Sequence, residues 1–387
     1  MLLIRLVKRI IRHLIQIMSD LKVQLYKYLF ALSKVQRDKI VLINECYNCN
    51  PKAIAEEILR RKLPYRLFWL SDYDITRMPS DILKYKKSGF LGAYHLATAK
   101  VIVMNSKGDK IRYFKKSSQF LIQTCHGSMP LKYVEAECMA KLPTEYVKNS
   151  IADSKLTNLV LSDGRWTSKF IKKALWYNGE ILEKGYPRND IYFKASESDI
   201  AEVKGKIGIS SSKKVVVYAP TFRDNGDFDC YDLNGEELLA QLNKKTGDTW
   251  CLLVRSHPNL FGKALPFVYN EDIVDVTSYE DAQQLFLIAD MLVTDYSSIM
   301  IDFLLMKKPV LLFATDEESY IRQRGIRPEY YQLPFPHSRS NEDLFVNLQQ
   351  LNMSNPYSDD FMMNYGSKDD GHASEYVVDR ILLEAPL

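Results

Sequence analysis

The sequence contains no run of about 20 apolar residues, so no stretch of it is built to span a bilayer as a helix. It has no Walker A loop, no GxGxxG and no HExxH, which removes the best-marked nucleotide-binding and zinc-hydrolase signatures. No group of carboxylates suggests a bound metal. Only one CxxC occurs, Cys46 with Cys49, and neither a second pair nor a Cys/His group at zinc spacing accompanies it. Cys125, Cys138, Cys230 and Cys251 are scattered, which suits a reducing cytoplasm where thiols stay free. Gly (16) and Pro (15) are not in excess among 387 residues, which argues against wholesale disorder. No low-complexity tract or short-period repeat is present. The N-terminus does not read as a secretory signal, because Arg5, Lys8, Arg9, Arg12 and His13 interrupt each apolar stretch and no small-residue cleavage site follows.

What is present begins with a core-forming composition. Hydrophobic residues make up 46% of the chain, and at about 150 residues per domain the length predicts two or three domains. The net charge of +4 is uneven: residues 1–39 hold nine Lys/Arg against Asp20 and Asp38, so a +7 head precedes a body of net −3. Within that head, Arg5, Lys8, Arg9, Arg12, His13, Gln16, Ser19 and Asp20 fall on one helical face. Leu3, Leu6, Val7, Ile10, Ile11, Leu14, Ile17, Met18 and Leu21 fill the other. A cationic polar face opposite a Leu/Ile face suits a bilayer interface, where apolar burial adds to attraction for anionic lipid. Residues 1–38 are therefore expected to form a basic amphipathic helix, with residues 1–35 contacting a membrane surface. The alternative is an ordinary amphipathic helix packed on the body.

After residue 39, strands and helices alternate. KIVLIN (39–44), YRLFWL (65–70), VIVMN (101–105), FLIQTCHG (120–127) and LVLSDG (159–164) read as strands or strand ends. Helices are expected from Asn50-Pro51 to about Arg61, around Lys84, Lys86 and Lys87, over 94–99, over 144–150 and over 166–178. A polar stretch from Ser196 to Lys214 marks the entry to a second unit. There the pattern restarts with VVVYAP (215–220), WCLLVRSH (250–257), MLVTDYSS (291–298) and PVLLFA (309–314) as strands, and helices at 235–245, 279–289 and 299–306. This predicts α/β units at 39–195 and 196–350, each a parallel sheet covered on both faces, with a helical segment at 351–387 packing back on the first unit.

In open parallel sheets the ligand lies beyond the carboxyl ends of the strands, so the residues there are the candidates. His126-Gly127 follows the fourth strand of the first unit. An imidazole titrates near neutrality and can take a proton from a hydroxyl, and the glycine allows close approach of a ligand. Thr221 and Arg223 follow the first strand of the second unit. Arg223 either grips phosphate or pairs with Asp224. Arg255 and His257 are two apart, which in a strand would aim both to one side. Thr294, Asp295, Ser297 and Ser298 lead into the apolar stretch IMIDFLLM, where a helix start offers unpaired N–H groups to an anion. Each feature has a structural explanation alone: a bonded His, a surface ion pair, a helix cap. Together they describe a diphosphate site with a general base, in which cations do the neutralising that a metal would otherwise do.

The stretches QTCHGSMPLK (123–132), GYPRND (185–190), YAPTFRDN (218–225), VRSHP (254–258), TSYEDAQQLFLIADMLVTDYSSIMIDF (277–303) and DEESYIRQRG (316–325) occur in an order that resembles the CDP-glycerol glycerophosphotransferase family. Those enzymes build teichoic acids and related capsule or surface polymers. The resemblance implies a GT-B-like fold: two Rossmann-type domains facing a cleft, with 39–195 as the acceptor domain and 196–350 as the CDP-donor domain. It implies His126 as the catalytic His and His257 as a second one near the donor diphosphate. Arg223, Arg255, Thr294, Asp295, Ser297 and Ser298 would form the donor-phosphate shell, with Gly127, Asn189, Asp190 and Thr221 at the cleft. The implied donor is CDP-glycerol or CDP-ribitol, with no cofactor or metal required. The implied partner is a lipid-linked (prenyl diphosphate) acceptor or growing polymer, met by a peripheral protein at the cytoplasmic face of the plasma membrane, and an oligomer is compatible with it. Cys125 replaces a common aromatic, and SMPLK is one residue longer than the usual form; both bear on the acceptor rather than the reaction class. Two other functions compete: a GT-B glycosyltransferase using a nucleotide sugar, and a non-catalytic membrane scaffold. Nucleic acid is not an expected partner, since the basic segment 107–116 is short and the body is net acidic.

Overall fold

Short apolar runs such as IVLI (40–43), VVVYA (215–219) and LLV (252–254) are buried on both faces, which is the environment of a strand inside a parallel sheet. In the computed structural model these runs build two sheets. It describes residues 18–19, 21–75, 77–107, 114–125, 127–223, 228–257, 265–354, 357 and 360–387. In the first sheet, β1 (Gln36–Ile43), β2 (Arg66–Leu70), β3 (Ile82–Tyr85), β4 (Ala99–Met104), β5 (Phe120–Gln123), β6 (Leu159–Ser162) and β7 (Glu180–Glu183) lie in the order β3-β2-β1-β4-β5-β6-β7. In the second, β8 (Lys214–Ala219), β9 (Trp250–Val254), β10 (Ile273–Asp275), β11 (Met291–Thr294), β12 (Val310–Phe313) and β13 (His337–Ser338) lie in the order β10-β9-β8-β11-β12-β13. The pairings are parallel throughout, for example Val41 beside both Phe68 and Ile102, and Val293 beside both Tyr218 and Leu311. Strand order therefore reverses between β1 and β4 and again between β8 and β11. These are the two switch points where strand-end loops diverge and leave room for a ligand.

The stretch around Lys84 is strand β3, not the helix that its lysines suggested. Ile82 is buried while Leu83 is 49% exposed, and Lys84 pairs with Asp74 at 2.7 Å. This is the alternation of an edge strand carrying protective charge. The short strands β7, β10 and β13 were not anticipated either. The entry to the second unit is a helix, Glu197–Ile207, that starts with a capping box between Ser196 and Asp199 and ends at Gly208 with φ 81.

Most of the basic head, residues 1–17 and 20, lies outside the described residues. Residues 21–30 are helical, and one face of them (Val23, Tyr26, Phe30) packs on the first unit, with the Phe30 ring 5.0 Å from that of Phe90. Leu21, Leu25, Tyr28 and Leu29 on the other face are exposed, as is Leu32 beyond it.

Two segments tie the halves together. Met129 and Leu131 follow β5 in sequence but are buried in the core of the second sheet, where each adds about 1.5–3 kcal/mol of apolar burial. In return, the helix Ala373–Glu384 packs Val377, Val378 and Ile381 against Ile40 and Leu42 beneath the first sheet, and the Tyr65 hydroxyl donates to the Ala385 carbonyl at 2.6 Å. Among the described residues no helix is long and apolar enough to cross a membrane.

Candidate active site

Thr124, Cys125 and Ser128 of the loop after β5 are each held by hydrogen bonds. Thr124 Oγ1 donates to Asn105 Oδ1 at 2.9 Å, and Cys125 adopts a left-handed backbone at φ 57. That conformation costs a non-glycine residue about 1–2 kcal/mol. It is held by Asn50, whose Nδ2 donates to the Cys125 carbonyl at 3.0 Å and whose Oδ1 accepts from the Arg188 backbone at 3.0 Å. His126 lies outside the described residues. Its neighbour Gly127 comes so close to the second unit that a Cβ there would sit 3.0 Å from Ser298 Oγ. The next residue, Ser128, donates to Asp302 Oδ1 at 2.5 Å.

On the second sheet, the candidate donor shell divides into two groups. Thr294 Oγ1 donates to the Ala219 carbonyl at 2.7 Å, and Asp295 accepts from the Thr221 backbone, the Thr221 hydroxyl and the Tyr296 backbone. Arg223 is 4% exposed and bonds Asp316 through two nitrogens, Thr221 through a third, and Asp295 at 2.9 Å. Its guanidinium also lies 5.0 Å from the Tyr296 ring and 4.9 Å from the Tyr320 ring. Burial opposes this charge, but Asp295 and Asp316 outweigh it, and the Arg223 pKa rises. Arg223, Thr221, Thr294 and Asp295 thus join the loops after β8, β11 and β12 into one unit.

Ser297 and Ser298 form the other group. Ser298 occupies the N-cap position of the helix Ile299–Leu304, yet its side chain makes no capping hydrogen bond there. Ser297 Oγ accepts from the Ile299 backbone at 3.4 Å. A helix this short aligns few peptide dipoles, so the hydroxyls rather than a macrodipole are what it offers an anion.

Arg255 and His257 do not share a side, as strand spacing had suggested. Strand β9 ends at Val254, and beyond it the two diverge. Arg255 turns toward the loop after β10, donating to the carbonyls of Val276 (3.3 Å) and Tyr279 (2.7 Å). Burial draws its pKa down despite nearby Asp281. His257 is exposed and turns toward the loop after β8, its ring 5.8 Å from that of Phe222. Since β9 lies between β10 and β8, the pair straddles it.

Asn189 and Asp190 lie at the seam rather than open to a ligand. Asn189 Nδ2 donates to Asp302 Oδ1 at 3.3 Å and Asp369 Oδ1 at 3.2 Å. Asp190 accepts from the backbones of Ala373 (2.9 Å) and Ser374 (2.8 Å), capping the C-terminal helix.

Sequence reasoning missed the residues that join the halves. Arg188 Nη2 meets Asp302 Oδ2 at 2.5 Å with both side chains buried. Arg327 pairs with Glu137 beneath Tyr133, and Lys52 pairs with Asp281 at 2.6 Å. A single acid in the apolar stretch IMIDFL was the available signal for Asp302, because buried carboxylates occur only with partners. Lys52, Glu56, Tyr279 and Asp281 line a groove of about 550 Å³ between the halves. Partial desolvation in the groove raises the Glu56 carboxyl pKa even beside Lys52. All six cysteines are free thiols. Among the described residues no group of three or more His, Cys, Asp or Glu converges as a metal site.

Two all-parallel sheets with polar strand-end loops meeting at their seam define an α/β protein of the same fold as the S. aureus MnaA–UDP co-structure. That match has a TM-score of 0.51 at 14% identity over 89% of this chain and 96% of that one, and it speaks to fold alone. The family profile CDP-Glycerol:Poly(glycerophosphate) glycerophosphotransferase matches residues 25–383, and the chain belongs to that family. The teichoic acid poly(glycerol phosphate) polymerase of Staphylococcus epidermidis is 32% identical over 358 residues, 87% of this chain and 48% of that protein. The polymerase of the same description from Bacillus spizizenii is 27% identical over 94% of this chain and 97% of that protein. The chain thus spans about half the length of the first relative and nearly all of the second. A solved structure of the wall teichoic acid polymerase TagF superposes with a TM-score of 0.81 at 27% identity, covering 99% of this chain and 98% of that one.

Proposed function

We propose that this chain transfers glycerol phosphate, or a related polyol phosphate, from a CDP-linked donor to a hydroxyl of a lipid-linked (prenyl diphosphate) acceptor or growing polymer, releasing CMP, in teichoic acid or surface-polymer synthesis. The observation that carries this reading is the seating of Gly127, next in chain to His126, on Ser298 of the second unit. That contact between the two halves supports reading His126 as the general base and the Ser297 and Ser298 hydroxyls as part of the phosphate seat.

In the proposed reaction, His126 takes the proton from the acceptor hydroxyl. That oxygen attacks the polyol-bearing phosphorus in line, the bond from that phosphorus to the bridging oxygen breaks, and CMP leaves with the electron pair. Ser297, Ser298, Arg255 and His257 hold the diphosphate and neutralise its charge, and positioning with charge stabilisation supplies most of the rate gain. Arg223, Asp295, Thr294 and Thr221 act one layer behind, shaping the loops that carry these groups. The reading assigns no catalytic role to a metal. CDP-glycerol is the donor we favour, because the relatives at 32% and 27% identity are poly(glycerol phosphate) polymerases.

The acceptor's lipid calls for a membrane. Leu21, Leu25, Tyr28, Leu29 and Leu32 are 55–96% exposed, and Phe90 and Leu91 beside them are each 49% exposed. This apolar surface, following the basic sequence of residues 1–17, supports peripheral docking at the cytoplasmic face.

Incubation with CDP-glycerol and a detergent-solubilised prenyl-diphosphate acceptor tests the reading. Acceptor-dependent CMP with a new phosphodiester supports it. Turnover of a nucleotide sugar instead of either CDP-polyol would overturn it.

A further inference from the structure

The helix Ile299–Leu304 is apolar except for Asp302, which is 1% exposed among the buried Met300, Ile301, Phe303 and Leu304. A buried carboxylate is several kcal/mol unfavourable unless paired and hydrogen bonded, so its partners indicate its role. Among the described residues, its side-chain hydrogen-bond partners come from the other half of the molecule. Oδ1 accepts from Ser128 at 2.5 Å and Asn189 at 3.3 Å, and Oδ2 accepts from Arg188 at 2.5 Å.

Two further carboxylates lie in the same region, Asp163 buried and Asp369 half-buried. Burial and their neighbouring acids raise both pKa values, which favours their neutral forms. Asp163 accepts from the Tyr365 hydroxyl at 2.6 Å, and the same hydroxyl accepts from the Met129 backbone at 3.1 Å. The Arg188 charge is matched by Asp302.

Spacing gives this network its meaning. Ser298 and Asp302 are four apart, so they lie one turn from each other on one side of the helix. The two residues after His126 meet these same two positions: Gly127 rests on Ser298, and Ser128 bonds Asp302. The loop is thus fixed at two points on the element that opens with Ser297 and Ser298. One point is a steric stop and the other a short hydrogen bond.

We propose that Asp302 is a positioning residue for the transfer step, holding Ser128 so that Gly127 and Ser128, which follow His126 in the chain, keep a fixed placement relative to the Ser297–Ser298 hydroxyls. The proposal rests on the reading of those groups as base and phosphate seat. Asp302 touches neither donor nor acceptor. It acts through Ser128, and Arg188 holds its carboxylate in place. Ser128 belongs to the same device.

The test uses Ser128→Ala, which removes one hydrogen bond and leaves the Arg188–Asp302 pair intact, with Ser128→Thr as the variant that keeps a hydroxyl. Wild type run alongside with CDP-glycerol and acceptor reports separately on the functional reading. For Ser128→Ala we expect kcat to fall about tenfold, the size of effect one buried hydrogen bond supports. KM for CDP-glycerol and the melting temperature should stay near wild type, and Ser128→Thr should recover most of the rate. Hydrogen exchange in peptides covering 124–130 should quicken in Ser128→Ala while the sheets stay protected, and this readout holds whatever the donor proves to be. Asp302→Asn should show the same local exchange together with a lowered melting temperature, because it also breaks the pair with Arg188. Wild-type exchange at 124–130 in Ser128→Ala would overturn the proposal. So would kcat, KM and melting temperature falling together without rescue by Ser128→Thr.

Discussion

Gly127 and Ser298 come from different sheets, yet the space between them is too small for a relaxed methyl group: a Cβ on Gly127 would lie 3.0 Å from Ser298 Oγ. Gly127, next in chain to His126, is therefore fitted against the second unit. Gly127→Ala should push the Ser298 hydroxyl aside by a few tenths of an ångström. We expect KM for the CDP-linked donor to rise by about three- to tenfold with little change in melting temperature. The double variant with Ser298→Ala should be non-additive, as residues in contact are. Additive effects would mean that the two do not constrain each other.

Arg223 and Arg255 look alike in sequence and should behave differently. Arg223 holds Asp295 and Asp316 in a buried network. Arg223→Met leaves those carboxylates uncompensated and should lower stability by about 3–5 kcal/mol, with activity lost in step. Arg255 bonds only carbonyls among the described residues, so Arg255→Ala should weaken donor binding with a smaller loss of stability. Chemical denaturation alongside donor titration distinguishes them. An Arg223→Met protein with normal stability but no donor affinity would make Arg223 a phosphate ligand.

His257 is exposed beside Phe222. His257→Ala should leave the melting temperature unchanged and raise KM for the donor. A large stability loss would mark its ring contact as structural instead.

His95 supplies a pH signature of the fold. Its ring is stacked 4.2 Å from Phe68 and lies tilted 4.4 Å from Tyr85. Burial, with Lys39 and Arg66 adding to it, depresses its pKa from 6.5 to about 4. A base whose folded pKa is depressed stabilises the fold above its unfolded pKa, and that contribution is lost as pH falls from 6.5 toward 4. Urea unfolding at pH 7.5 and pH 4.5 should therefore show a smaller acid loss for His95→Gln than for wild type. The difference should be on the order of 1 kcal/mol or more, at about 1.4 kcal/mol per pKa unit. An equal acid loss in both would remove His95 from this role.

Strands buried on both faces were legible because IVLI, VVVYA and LLV are continuous apolar runs, and the strand-end motifs were legible because polar residues cluster after them. The edge strand at Lys84 was not, since its charges suit a helix surface equally well. The divergence of Arg255 and His257 was hidden because it depends on where β9 stops, and strand ends are set by tertiary contacts rather than by local sequence. The placement of Met129 and Leu131 in the core of the second sheet depends on contacts far apart in the chain. Arg188 stood in a quoted motif, but its partner Asp302 could be found only once the two sheets were placed.

The most direct test of the account is acceptor-dependent release of CMP from CDP-glycerol by wild type and His126→Ala with the lipid acceptor. General-base help is worth about 10²–10⁴-fold. We expect wild-type release that falls by at least about a hundredfold in His126→Ala while donor affinity is kept. Near-normal release from His126→Ala would contradict the account.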